Sequence, residues 1–427
     1  MKLGVITTSY PRTPGDPAGS FVAAHVEALR ALGHDVEVIA AGTPGRRAAA
    51  ATTGSAATSS ATTGSAATRS QATGSQATGS QAPPSVTWIA SSLFDHGGAP
   101  DHLERHPVRT LAAAALIAAR MTLAVSRRAQ RWDSIIAHWL VPSALAALPS
   151  GVPLLAIAHG GDIHTLRRMK LLAPVLHLLY RRGAQLAFVS EPLRGIARDA
   201  APVLAAWIDT AIVQPMGLDL ARFARVGHTP TQPPTIVVTA RLVDIKGVDV
   251  AIDALAHLRA PVRLVIAGDG PERARLEARA RQRSVSGAAG QPPHTSSDSD
   301  FAVSGAAGQP PHSIVFLGAV DTRQRDRLLR DASVVVVPSR VTPSGRTEGM
   351  PMIALEALAA GVPVVASAVG GLPGLAPAAV LVRPDRPREL AAAIDQTLSE
   401  PPDAQQLRAA VADLGWENVA TRLVRNP

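Results

Sequence analysis

Short, uninterrupted apolar runs recur along the chain. Between them lie stretches in which apolar residues return every three or four positions. The runs at 3–6, 36–40, 86–90, 134–138, 153–158 and 186–190 hardly alternate with polar residues. Strands covered by helices on both faces read this way. Residues 21–32 have helical periodicity and stop at Gly33, a residue suited to the left-handed position past a helix end. A second series opens at 235–239 and continues at 262–267, 314–317, 333–337 and 363–366, with helices expected over 248–259, 271–283, 322–330 and 351–360. A strand–helix alternation that stops and restarts predicts an α/β protein with two parallel-sheet domains. The boundary is expected near Gln214–Asp219, dividing 1–215 from 216–403.

Two segments interrupt the pattern. Residues 44–85 are mostly Ala, Thr, Gly, Ser and Gln, and 284–312 carry VSGAAGQPPH twice, at 285–294 and 303–312. Such composition buries too little apolar surface to offset its ordering entropy, so both read as surface insertions. Asp298 and Asp300 form an Asp-x-Asp pair of metal-binding appearance, but inside such a segment they read as a solvated loop.

Composition narrows the classes. The 427 residues suit two cores, and 46% hydrophobic content can fill them. There are no cysteines, which excludes disulfides, thiolate catalysis and Cys-ligated zinc and fits a reducing compartment. The net charge of +9 is uneven: residues 1–215 hold 19 basic and 12 acidic side chains, the remainder 23 and 21. That bias suits an anionic partner, a lipid surface or a phosphorylated acceptor, or it reflects a general preference for Arg. Nucleic acid is not expected, because no basic run is interleaved with stacking aromatics. The longest apolar run, Leu111 to Ala119, falls short of the roughly 20 residues of a membrane span. No export signal follows Met1, so the expected location is cytoplasmic. The stretch 164–183, HTLRRMKLLAPVLHLLYRRG, reads either as a helix lying on the inner face of an anionic membrane or as a domain helix with a charged rim.

The candidate chemistry lies in loops after strands. In Glu348-Gly-Met-Pro-Met-Ile-Ala-Leu-Glu356, Pro351 suits a first helical turn. Glu348 then precedes a helix N-terminus, whose unpaired N–H groups can hold a phosphate or a sugar hydroxyl. Glu356 sits mid-helix among apolar residues and needs a partner, which a ribose diol would supply. Arg241 and Lys246 follow strand 235–239, where they could neutralise a diphosphate. Gly268-Asp-Gly-Pro271 is a turn or a ligand contact. Gly19, in the first strand-to-helix loop, would let the backbone approach a phosphate or sugar. His159-Gly-Gly-Asp162 follows strand 153–158, and His159 could orient the reacting sugar; His138 has the same position on its own strand.

Taken in order, Gly19, His159-Gly-Gly-Asp162, Pro215-Met-Gly-Leu-Asp219, Arg241…Lys246-Gly247, Gly268-Asp-Gly-Pro271, Glu348-x7-Glu356 and Ala357–Gly371 resemble the family 4 retaining glycosyltransferases of GT-B fold. The resemblance covers most of the chain outside the insertions. It implies two Rossmann-like domains facing a cleft, with the acceptor, a glycan or lipid-linked molecule, held by the first domain. The second would hold the nucleotide-sugar donor. A last helix, about 404–425, would cross back to the first domain. It implies Arg241 and Lys246 on the diphosphate, Glu356 on the ribose, Glu348 on the transferred sugar with Gly349 and Met350 beside it, and His159 close by. It implies no metal and no cofactor beyond the donor substrate. The family's Gly-rich segment before the last strand of the donor domain is here Ala376-Pro-Ala-Ala-Val380. A non-catalytic nucleotide-sugar binder or a sugar-nucleotide epimerase would share the architecture.

Overall fold

The computed structural model describes residues 1–13, 16, 18–43, 84–91, 93, 107–285, 299–303 and 312–424. The apolar runs form two seven-stranded sheets. The first holds β1 (Lys2–Thr7), β2 (Asp35–Ala41), β3 (Ser85–Ile89), β4 (Ser134–His138), β5 (Leu154–Ala158), β6 (Gln185–Phe188) and β7 (Ile212–Val213), in the order β3-β2-β1-β4-β5-β6-β7. Every pairing in it is parallel. The second holds β8 (Thr235–Thr239), β9 (Arg263–Ala267), β10 (Ser299–Val303), β11 (His312–Gly318), β12 (Val334–Val337), β13 (Val364–Ser367) and β14 (Ala379–Val382), in the order β10-β11-β9-β8-β12-β13-β14. Only β10 runs antiparallel.

With antiparallel β10 left out of the count, the second sheet repeats the order of the first six strands of the first sheet, and the first strand of each series lies between its second and its fourth. The chain leaves the first strand in one direction and later returns to its other side. At that reversal the loops past the strand ends diverge and open a crevice, where ligands of such sheets bind. Four loops therefore matter most: those after β1 and β4, and those after β8 and β12. Strand β5, which carries His159 at its end, lies directly beside β4.

Helices cover the sheets because their apolar stripes match the buried strand faces. Helix α1 (Ser20–Ala31) buries Val22, His25, Val26 and Leu29. Next, α2 (Pro107–Ser126) buries Ile117, Met121 and Val125 and leaves Leu111, Leu116 and Leu123 exposed. Segment Arg109–Arg131 is long and apolar enough to cross a membrane by length and composition. The run Leu111–Ala119 understates it, because after Arg120 the helix continues through Met121, Leu123, Ala124 and Val125. The inner residues of α2 nevertheless belong to the amino-terminal core. Then come α3 (Gly161–Arg168), α4 (Leu172–Arg181) and α5 (Glu191–Ala200). The second sheet carries α6 (Val248–Ala254), α7 (Arg273–Val285), α8 (Thr322–Asp331), α9 (Met352–Ala360) and α10 (Pro387–Ser399).

Two expectations change. The last helix is broken: α11 (Ala404–Ala409) packs on α9 through Arg408, which donates to the Ala360 carbonyl, and only α12 (Trp416–Val424) reaches the first core. Gly415 is the turning point, bridged to Leu218. Within 284–312, the structure places strand β10 and the start of β11, whose His312 is buried with Nδ1 bonded to the Val262 N–H. The apolar trio Phe301-Ala-Val303 marks β10, but the repeat composition around it conceals it. Asp298 and most of 44–85 lie outside the described residues.

Candidate functional site

Strand β8 ends at Thr239, and the chain turns into the loop that bears Arg241 and Lys246. Gly247 closes that loop in a left-handed conformation (φ 58°), with its Cα packed against the Pro338 carbonyl after β12. A side chain there would meet that oxygen at 2.0 Å, so glycine is required for the approach. Arg340 binds the same two loops together through Asp244 and Asp249, at 2.9 and 2.7 Å. The Lys246 Nζ consequently lies 2.7 Å from Glu348 Oε1, which also accepts from the Ser339 hydroxyl at 3.1 Å. Lys246 and Glu348, separate in sequence, thus meet at the switch point of the second sheet.

The first sheet meets this point across the crevice. The backbone of Gly349 packs against the His159 carbonyl and Gly160; a side chain at 349 would strike that oxygen at 2.2 Å. Gly371 lies close to Ser190 and to the Met350 side chain. Met350 packs against both domain cores, so here it serves as contact between them. Gly19 caps α1 at φ 67°, and a side chain there would strike the Ser9 carbonyl at 2.2 Å. Its glycine is therefore accounted for by the turn itself. Arg241 follows β8 on the same side as Lys246 and is half-buried.

Asp162 holds the His159 loop. Its carboxylate accepts from the backbone N–H groups of His159, Gly160 and Ile163 at 3.2, 3.0 and 3.0 Å, and from Leu140 at 2.8 Å. It thereby ties the loop after β5 to the loop after β4. Burial pushes its pKa up, against the pull of those N–H groups. Trp139, just before Leu140, has φ 71°, an uncommon value for a residue with a side chain. Its ring lies 4.7 Å from His159 and 5.8 Å from Phe21. Strain of this kind collects at ligand sites.

Behind His159 is a row of imidazoles. His159 Nε2 lies 3.0 Å from His138 Nδ1, and His138 Nε2 lies 3.1 Å from His25 Nδ1. Burial lowers all three pKa values: His25 to about 4, His159 to about 3, and His138 well below its usual range. The His25 ring stacks on Trp416 of α12 at 5.5 Å. His25 could be anticipated from sequence as a polar residue on the apolar stripe Val22–Val26–Leu29, and Trp416 only from the fold.

Glu356 is buried on α9, as its apolar neighbours require, and Arg325 of α8 lies 3.2 Å from Oε1. Arg325 is a protein partner that sequence reasoning missed, since it comes from a strand-separated helix. Oε2 has no hydrogen-bond partner. Burial raises the pKa of Glu356.

The fold has counterparts among known proteins. The family model of group 1 glycosyl transferases matches residues 233–400. A D-inositol 3-phosphate glycosyltransferase of Xylanimonas cellulosilytica is 29% identical over 279 residues, covering 58% of this chain and 59% of that protein. A glycogen synthase of Mycobacterium tuberculosis is 32% identical over 217 residues, covering 48% and 45%. The chain thus spans about half the length of these relatives. The crystal structure of Anabaena Alr3699/HepE in complex with UDP-glucose superimposes with a TM-score of 0.63 at 17% identity, covering 100% of this chain and 99% of that one. Such a likeness establishes the fold. Residues 233–400 thus match the model of group 1 glycosyl transferases, within a chain that has the two-domain GT-B fold.

Proposed function

We propose that the chain is a retaining glycosyltransferase of the family 4 type, using a nucleoside-diphosphate sugar. The observation that carries this reading is the Lys246–Glu348 contact at one switch point, closed over by the His159 loop of the other sheet. In the reaction the bond from sugar C1 to the diphosphate oxygen breaks, and its electron pair leaves with the diphosphate. The acceptor hydroxyl forms the new bond to C1, and its proton ends on the leaving diphosphate. Lys246 and Arg241 balance the charge that grows on that group, so no divalent metal is required. Glu348 orients the sugar, and the open Oε2 of Glu356 takes a ribose hydroxyl. The test is a panel of nucleotide sugars scored for hydrolysis and transfer, with the anomer of the product read by NMR. An inverted product would remove the retaining assignment; no turnover with any donor would remove the enzyme.

We further propose that the acceptor is reached at the inner face of an anionic membrane. Right-handed crossovers place α2 and α4 on one face of the first sheet. Leu116 and Leu123 are exposed there at 52% and 51%, beside the exposed Arg120 and Arg127, and α4 exposes Leu178 and Tyr180. Apolar side chains within a rim of Arg suit a surface of anionic lipid. Co-sedimentation with phosphatidylglycerol vesicles, but not with phosphatidylcholine vesicles, is expected. Leu116→Gln with Leu123→Gln should abolish it, and retention by that double variant would refute the assignment.

A further inference from the structure

Three neutral imidazoles in a row have only two arrangements that leave every contact hydrogen-bonded. Each ring carries one proton, so each must donate through one nitrogen and accept through the other. In the first arrangement all protons sit on Nδ1. His25 then donates to His138, His138 donates to His159 Nε2, and His159 keeps an Nδ1–H with no described protein partner. In the second all protons sit on Nε2, and the row runs the other way. His159 then offers a bare lone pair from Nδ1, and His25 Nε2–H becomes the end of the row.

The far end of the row separates the two. His25 Nε2 is buried and has no hydrogen-bond partner. Its ring lies nearly parallel to the Trp416 indole, with an interplanar angle of 15°, so an N–H in the ring plane cannot point into that π-face. The second arrangement strands a donor there, and orphaned buried N–H groups are the rarer kind. The first leaves only a lone pair. The far end is also closed, because His25 is fully buried beneath Trp416. His159 itself stands half-buried between Trp139 and Phe21, with its carbonyl against Gly349.

We infer that His138 and His25 are positioning residues that fix His159 as a neutral Nδ1–H donor toward the cleft, and that His159 is not a general acid or base. The inference rests on the proposed transferase reading for what His159 faces. The titratable groups around the ring are His138 on β4, His25 on α1, Asp162 on its own loop and Glu348 beyond Gly349. Desolvation by the surrounding rings holds His159 far below its usual titration range, so the donor state holds across ordinary working pH.

The decisive measurement needs no turnover. With 15N-labelled histidine in the full chain, His159 should show a protonated Nδ1 and a bare Nε2, unchanged between about pH 5 and pH 8. A protonated Nε2, or titration within that range, would overturn the inference even if the protein proved an active transferase. His138→Gln keeps an amide N–H able to donate to His159 Nε2 and should preserve the tautomer. His138→Phe cannot, and should give a mixed tautomer. In the transfer assay His138→Phe should lower kcat about tenfold, the rate equivalent of one hydrogen bond, with donor KM changed less than about threefold. Equal losses in His138→Gln and His138→Phe would mean that the side chain only fills space.

Discussion

Lys246 and Glu348 show how a single residue's role depends on its partner. The lysine has a counter-charge at 2.7 Å, and neither side chain is fully exposed. A donor diphosphate entering there would compete for Nζ and release the carboxylate toward the sugar. Lys246→Ala should therefore weaken nucleoside-diphosphate binding roughly tenfold or more, since a charge-assisted hydrogen bond is worth about 1.5–3 kcal/mol. Glu348→Gln should leave that binding within about threefold and lower transfer about a hundredfold, on the scale of losing one electrostatic contact in a transition state. Titration calorimetry with the nucleoside diphosphate and a transfer assay would check both. Unchanged nucleotide affinity in Lys246→Ala would withdraw the phosphate role from it. Gly349 shows the opposite dependence: the substitution most damaging there is any side chain, because of the His159 carbonyl.

At the scale of elements, the row of histidines joins α1, β4 and the loop after β5, and Trp416 adds α12 to the same stack. These rings are neutral when folded, with pKa values depressed by burial from an ordinary value of 6.5. The unfolded chain binds more protons than the folded one in this range, so stability rises with pH. It should be fully present above about pH 6.5 and lost as pH falls toward about 4. With three protons taken up on unfolding, the steepest loss is on the order of 4 kcal/mol per pH unit. Urea unfolding at pH 7.5 and pH 5 reads this directly, and His25→Phe should remove about one proton from the slope. A slope that did not change in that variant would show that His25 does not carry it. The elements themselves were largely legible, since β1, β4, β8 and β12 are unbroken apolar runs that sheets buried on both faces demand. The edge strands β7 and β10 were not, being short or embedded in repeat sequence. The site was legible where chemistry follows a strand end, as at His159 and Lys246. Contacts made by distant elements, such as Arg325 on Glu356 and Trp416 on His25, carry no local pattern and required the fold.

For the whole molecule, the low-complexity segments look alike in sequence but must join different geometries. Residues 44–83 and 304–311 lie outside the described residues, yet the ends they connect are fixed. Strands β2 and β3 are parallel, with Glu37 beside Ser85 and Ala41 beside Ile89. The connection must travel back about 13 Å along the strand, at roughly 3.3 Å per residue, and clear the sheet face as it does so. A parallel crossover of this kind takes about a dozen residues or more. A linker much shorter than that cannot replace the first insertion, although most of its length is in excess of the need. Strands β10 and β11 are antiparallel, with Val303 opposite His312, and a turn of about two to four residues can close them. Replacing 304–311 with such a turn should leave the melting temperature and donor hydrolysis unchanged. Replacing 44–83 with four residues should lower the melting temperature sharply, because β3 must leave the sheet edge, and a linker of about fourteen Gly and Ser residues should restore it. Adding length beyond that should cost little, as closure entropy grows only logarithmically. Thermal unfolding of the three variants decides the matter. If the four-residue linker were tolerated, β3 could not be paired in parallel with β2.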